Sequence, residues 1–124
     1  MSLRFVLDEH LRGGGLWQAI QQHNASGGHP LDVVRVGDPP DLPLGTLDPD
    51  LLLWAEREGR ILLSRDFGTM PGHFAHHLQT GRHSPGLILI LPHRSLRDIL
   101  ASLVYAASCG APIDFQDRIE HIPL

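Results

Sequence analysis

A single cysteine, Cys109, excludes an internal disulfide, so nothing in the sequence indicates an oxidising compartment. Long apolar runs are missing too. The longest, around Gly86–Pro92 and Leu100–Ala107, fall far short of a membrane span. No N-terminal stretch joins basic residues to an apolar run, so no signal peptide is expected and the cytoplasm is the default location. Lysine is absent altogether: all ten basic residues are arginine. The net charge of −4 argues against a broad basic surface for nucleic acid. That argument weakens if acids bind metal, because discounting three carboxylates brings −4 to −1. What remains is ordinary: 42% hydrophobic and 19% charged residues, the balance of a globular chain. The 124 residues suffice for one domain, 1–124, with a single core.

Apolar stretches alternate with helical patterns along the chain. Leu3–Leu7 reads as a buried strand ending at Asp8-Glu9. Gly13–Gly15 punctuates, and Leu16, Ala19 and Ile20 then recur at helical spacing. Asp32–Val36 is β-branched and short, followed by Gly37-Asp38-Pro39-Pro40, which must leave any sheet. Asp48-Pro49 opens a helix running to Gly59, with Asp48 as the expected N-cap. Arg60–Ser64 and Gly86–Leu91 are further strands, with a helix over Pro71–Thr80 between them. Ser95 caps a last helix to about Ser108, and Arg118–Leu124 is a candidate edge strand. Continuously apolar strands alternating with helices imply a three-layer α/β/α sandwich with a mostly parallel central sheet. In such folds ligands lie beyond the carboxyl ends of the strands, where strand order reverses.

Two strands end in acids at that edge, the first at Asp8-Glu9 and the third at Asp66. With strand order 2-1-3-4 these acids converge across the switch point. Converging carboxylates raise one another's pKa unless a cation neutralises them, and hard oxygen donors suit Mg²⁺ or Mn²⁺. Asp48, at the start of the helix leading into the third strand, is the third candidate. Each acid also has a plainer reading. Asp48 serves as an N-cap, Asp66 caps the turn over Phe67-Gly68-Thr69, and Glu9 is either a second ligand or solvent-facing.

The strings FVLDEH, LDPDLLLWAEREGRILLSRDFGTMPGHF, PGLILI and RIEHIPL together resemble a small PIN-like family, over nearly the whole chain. The resemblance implies an α/β/α metal-dependent nuclease that hydrolyses phosphodiester bonds, most often in RNA, with Mg²⁺ or Mn²⁺ held by acids. It further implies a toxin paired with a small antitoxin protein, an RNA substrate, no membrane partner, and a homodimer as an allowed assembly. Residue by residue, the metal and catalytic positions fall on Asp8, Asp48 and Asp66, since Asp48 rather than Asp50 lies seven before Ala55. Ser64 stands where relatives usually carry threonine, a hydroxyl suited to orienting a metal or its water. Relatives often have a second aspartate after the third strand, and Phe67-Gly68-Thr69 supplies none, which favours one ion over two. Arg65 and Arg12 are candidate phosphate contacts near the mouth, or exposed arginines with no specific task.

His73, His76 and His77 share helical spacing but lack a zinc motif, so a partly exposed polar face is expected. Trp54 is read as core. A receiver-like phosphoacceptor domain shares the acids but depends on a lysine, which this chain lacks. A PIN-like binding module with a weakened site is the other alternative.

Overall fold

The computed structural model describes residues 2–123. Its elements are β1 (Arg4–Leu7), α1 (Leu16–Ala25), β2 (Asp32–Arg35), α2 (Asp48–Glu58), β3 (Ile61–Ser64), α3 (Met70–Gln79), β4 (Leu87–Ile90), α4 (Leu96–Cys109) and β5 (Ile119–Ile122). Short 3-10 turns cover Glu9–Arg12 and Pro112–Asp114. The five strands form one parallel sheet in the order β2-β1-β3-β4-β5. The edge strand expected at the C-terminus is therefore present as β5, and Leu124 lies outside the described residues.

The two sides of the sheet are covered by different helix pairs. Phe5, Leu7, Ile61, Leu63, Ile88 and Ile90 face α1 and α4, which contribute Leu16, Ile20, Ile99 and Leu103. The intervening Val6, Leu62, Leu87 and Leu89 face α2 and α3, which contribute Leu51, Leu52, Met70 and Phe74. Strand side chains alternate between faces, so burial on both sides explains the unbroken apolar runs. Each fully buried Leu, Ile or Phe contributes roughly 1.5–3 kcal/mol. Trp54 is buried within the second cluster, as read from the sequence.

Three local features set the frame. Ser95 caps α4, accepting a bond from the Asp98 amide through its Oγ (3.1 Å). Asp48, in contrast, is not a cap: Leu47 occupies that position and Asp48 is the first helical residue, its side chain free to point elsewhere. At the amino edge of the sheet, buried Arg60 donates to the Phe5 carbonyl (3.0 Å) and to Asp32 Oδ1 (2.8 Å), clasping three strands.

Gly86 opens β4 with φ +135°, and a Cβ there would lie 2.6 Å from the Phe115 carbonyl oxygen. Main chain rather than a flexible side chain blocks the space, and the conformation itself disfavours L-residues. Gly86→Ala is expected to lower the unfolding free energy by ~2–4 kcal/mol, measured by urea denaturation.

Candidate functional site

Strand pairing places the acids. In register, Leu7 stands beside Leu63, and the ladder continues with the Asp8 amide donating to the Leu63 carbonyl (2.9 Å). Asp8 therefore leaves β1 next to Ser64, the last residue of β3. The Ser64 hydroxyl donates to Asp8 Oδ2 (2.9 Å), and its Oγ accepts from the Asp66 amide (3.0 Å). One fully buried hydroxyl thus ties the first acid to the backbone of the third. Ser64 orients Asp8 through its proton, a role one step removed from contacting an ion.

Asp8 is only 8% exposed. Asp48 sits at the first turn of α2, near enough to Asp8 and Asp66 to feel both charges, and its carboxyl is pushed above the ordinary range. Burial is the main cause, the Asp8 carboxylate adds to it, and Asp66 contributes further. His73 and His10 oppose the shift, and His73 Nε2 lies 3.8 Å from Asp48 Oδ2. The three acids therefore share one electrostatic neighbourhood.

Asp66 is held differently. Its Oδ1 accepts from the Gly68 and Thr69 amides (both 2.9 Å), and Oδ2 accepts from the Thr69 hydroxyl in a short contact. The Thr69 hydroxyl and amide, then the Gly68 amide, hold this carboxyl below the usual carboxylate range. The turn-capping reading is thus realised. Since each carboxylate oxygen offers two lone pairs, only Oδ2 keeps one for another partner.

The remaining candidates divide. Glu9 Oε1 accepts from the Gly45 amide (2.7 Å), pinning the Pro-rich loop to the end of β1. Arg12 donates to the Val36 carbonyl (2.8 Å) and to Asp38 Oδ1 (3.1 Å), so its guanidinium closes the turn after β2. Arg65 is exposed and stretches along Gly14, whose Cβ would sit 3.5 Å from the guanidinium. Of the two arginines, Arg65 alone is open to solvent-borne ligands. Two histidines to which the sequence assigned no part in the site, His10 and His73, lie near the acids. A histidine seven residues past Asp66, on the first turns of the next helix, was the available signal. His77 departs from the expected exposed face: it is buried, donating through Nε2 to the His83 carbonyl (2.9 Å) with Glu56 Oε1 at 2.9 Å.

Among the described residues, no group of three or more His, Cys, Asp or Glu side chains is placed to hold a metal ion. A cage is not what Mg²⁺ requires; it keeps several waters and binds through one or two carboxylates. Asp8 and Asp48 are the carboxylates available for that mode, while Asp66 is largely engaged by its own turn. They do not fit a two-ion site. No helix among the described residues is long and apolar enough to cross a membrane. Comparisons with protein-family models, with curated proteins and with solved structures find no match.

The raised Asp48 carboxyl makes a signed prediction. Its ionised form is disfavoured in the fold, so its charge subtracts stability above its folded pKa. The penalty fades as pH falls through that value and is gone below the ordinary 3.8. Asp48→Asn is therefore expected to raise the melting temperature of the metal-free protein at neutral pH. The gain over wild type should vanish near pH 3.5–4, roughly the unshifted carboxylate range, as followed by thermal melts across pH.

Proposed function

We propose that this protein is a metal-dependent nuclease of the PIN-like kind, hydrolysing phosphodiester bonds, with RNA as the substrate class. One observation carries the reading: at the carboxyl edge of a parallel sheet, where the strand order reverses between β1 and β3, Ser64 ties Asp8 to the backbone of Asp66, and both acids lie near enough to Asp48 to raise its carboxyl. The resemblance to the PIN-like family supports the choice of nuclease over other metal-dependent chemistry.

Asp8 and Asp48 would hold a Mg²⁺ or Mn²⁺ ion, with Asp66 reaching it through Oδ2 or a water. Such an ion polarises a phosphodiester and lowers the pKa of water. The chain's own groups do the rest. Ser64 fixes the Asp8 carboxylate in one orientation, and the Asp66 turn keeps that acid ionised. Asp48 carries the charge most relieved by a cation. A toxin role, held in check by a small protein partner, extends the same reading. Induced expression should then arrest growth, and Asp8→Asn should relieve the arrest.

The full occupation of Asp66 Oδ1 by its turn favours a second reading, a PIN-like binding module without turnover. Incubation with single-stranded RNA and Mn²⁺ separates the two. For a nuclease, Asp8→Asn and Asp66→Asn should each reduce cleavage about 100-fold or more, and Ser64→Ala about 10-fold, as expected for a group that orients a ligand. Cleavage unchanged by either aspartate substitution refutes the mechanism. RNA binding without any cleavage by the wild type establishes the module.

A further inference from the structure

The distribution of arginines singles out one region beside the acids. Six of the ten, Arg4, Arg12, Arg35, Arg57, Arg60 and Arg82, pair with carboxylates. Among the described residues, Arg65, Arg94, Arg97 and Arg118 have no such partner. Three of these four lie at the carboxyl edge of the sheet: Arg65 just after β3, Arg94 in the β4–α4 loop and Arg97 on the first turn of α4. In a chain of net charge −4, cations left uncompensated next to an acidic crevice are a local exception.

A cleft of about 340 Å³ opens there, lined by Arg65, Phe67, Pro92, His93 and Arg94 among others. Arg65 and Phe67 flank Asp66 in sequence, so the cleft begins where the acid site ends. Phe67 is 42% exposed, an expensive position for an aromatic ring, and the His121 ring stacks against it at 5.8 Å with 30° between planes. The Asp66 turn that fixes the ring's backbone also fixes its distance from the acids.

We propose that this cleft is a nucleotide subsite adjoining the point of cleavage, with Phe67 stacking one unpaired base and Arg65 and Arg94 holding the phosphates beside it. The proposal rests on the nuclease reading for its location, while its recognition chemistry stands on the cleft alone. An exposed ring backed by a second ring offers a flat, ordered platform, and every base has a face to lay on it. Two guanidinium groups in the lining suit bidentate contact with the phosphates of such a strand. A paired base keeps its faces covered by its neighbours, so the subsite selects single strands. Neither a stacked base nor a phosphate carries the sugar hydroxyl, so RNA and DNA single strands should both bind.

Fluorescence anisotropy without divalent ions tests this, using a labelled RNA of about twelve nucleotides, the DNA of the same sequence, and the RNA paired with its complement. Both single strands should bind within a few-fold of each other and clearly tighter than the duplex. Phe67→Ala should weaken single-strand binding about ten-fold, and Phe67→Trp should retain it. Arg65→Ala and Arg94→Ala should each flatten the slope of log affinity against log salt by about 0.7, with Arg118→Ala as the control of equal charge outside the cleft. Equal binding of the duplex, no effect of Phe67→Ala, or an Arg118→Ala loss as large as that of Arg94→Ala overturns the proposal. Cleavage lost in Asp8→Asn with binding indifferent to Phe67 would sink the subsite and spare the nuclease. Binding that depends on Phe67 with no metal-dependent cleavage would do the reverse.

Discussion

The parallel pairing of β1 with β3 positions nearly everything else at the site. Its register sets Phe5, Val6 and Leu7 against Ile61, Leu62 and Leu63, and the Asp8 amide extends the ladder by one more bond. A slip of one residue would turn each side chain to the opposite face, and both faces are filled. Packing therefore locks the register, and the register delivers Asp8 to the Ser64 hydroxyl. From that hydroxyl a second bond reaches the Asp66 amide, so the geometry of two acids follows from core packing several residues away. The reversal of strand order between β1 and β3 is where a parallel sheet opens a crevice at its carboxyl edge.

Within that crevice the acids are tuned in opposite directions. Asp66 is surrounded by donors and stays ionised, whereas Asp48 is crowded by burial and by its neighbours' charge. Position at the amino end of α2 gives Asp48 a favourable helix dipole worth about 0.3–1 kcal/mol, yet the net shift is upward, so crowding wins. A fold selected only for stability would place a neutral residue there. A cation sharing the site would relieve that charge, and His10 and His73 temper the same excess of negative charge.

Much of this could be read before the structure, because the informative signals were backbone-level. The apolar runs of β3 and β4 reported burial on both faces, and of the acids at strand ends Asp8 and Asp66 do meet through Ser64. Where reading stopped was at side-chain partnership. Asp48 looked like a cap because Asp-Pro is a common helix start, but Leu47 precedes it in extended conformation and takes that position. Glu9 and Arg12 both looked available, and both are used to hold loops that fold back from β2, contacts spanning 24 to 36 residues. His77 appeared to share an exposed face with His73, whereas the packing of α3 on α2 buries it against Glu56. Such long-range contacts leave no periodicity in the chain.

The stretch Arg65-Asp66-Phe67 gathers these threads. Asp66 is both a turn cap and a candidate ligand, and the two roles support each other. The amide and hydroxyl donors of Gly68 and Thr69 hold the carboxylate ionised and fix its direction, leaving one lone pair of Oδ2 uncommitted. The same turn places an arginine and an aromatic ring on either side of it. A tight turn can present three different chemistries within a few ångströms only if its backbone is rigid, and the carboxylate supplies that rigidity. Loss of the Asp66 acceptor would therefore disturb the ligand and the neighbouring cleft together, whereas loss of the Phe67 ring would leave the acids as they are.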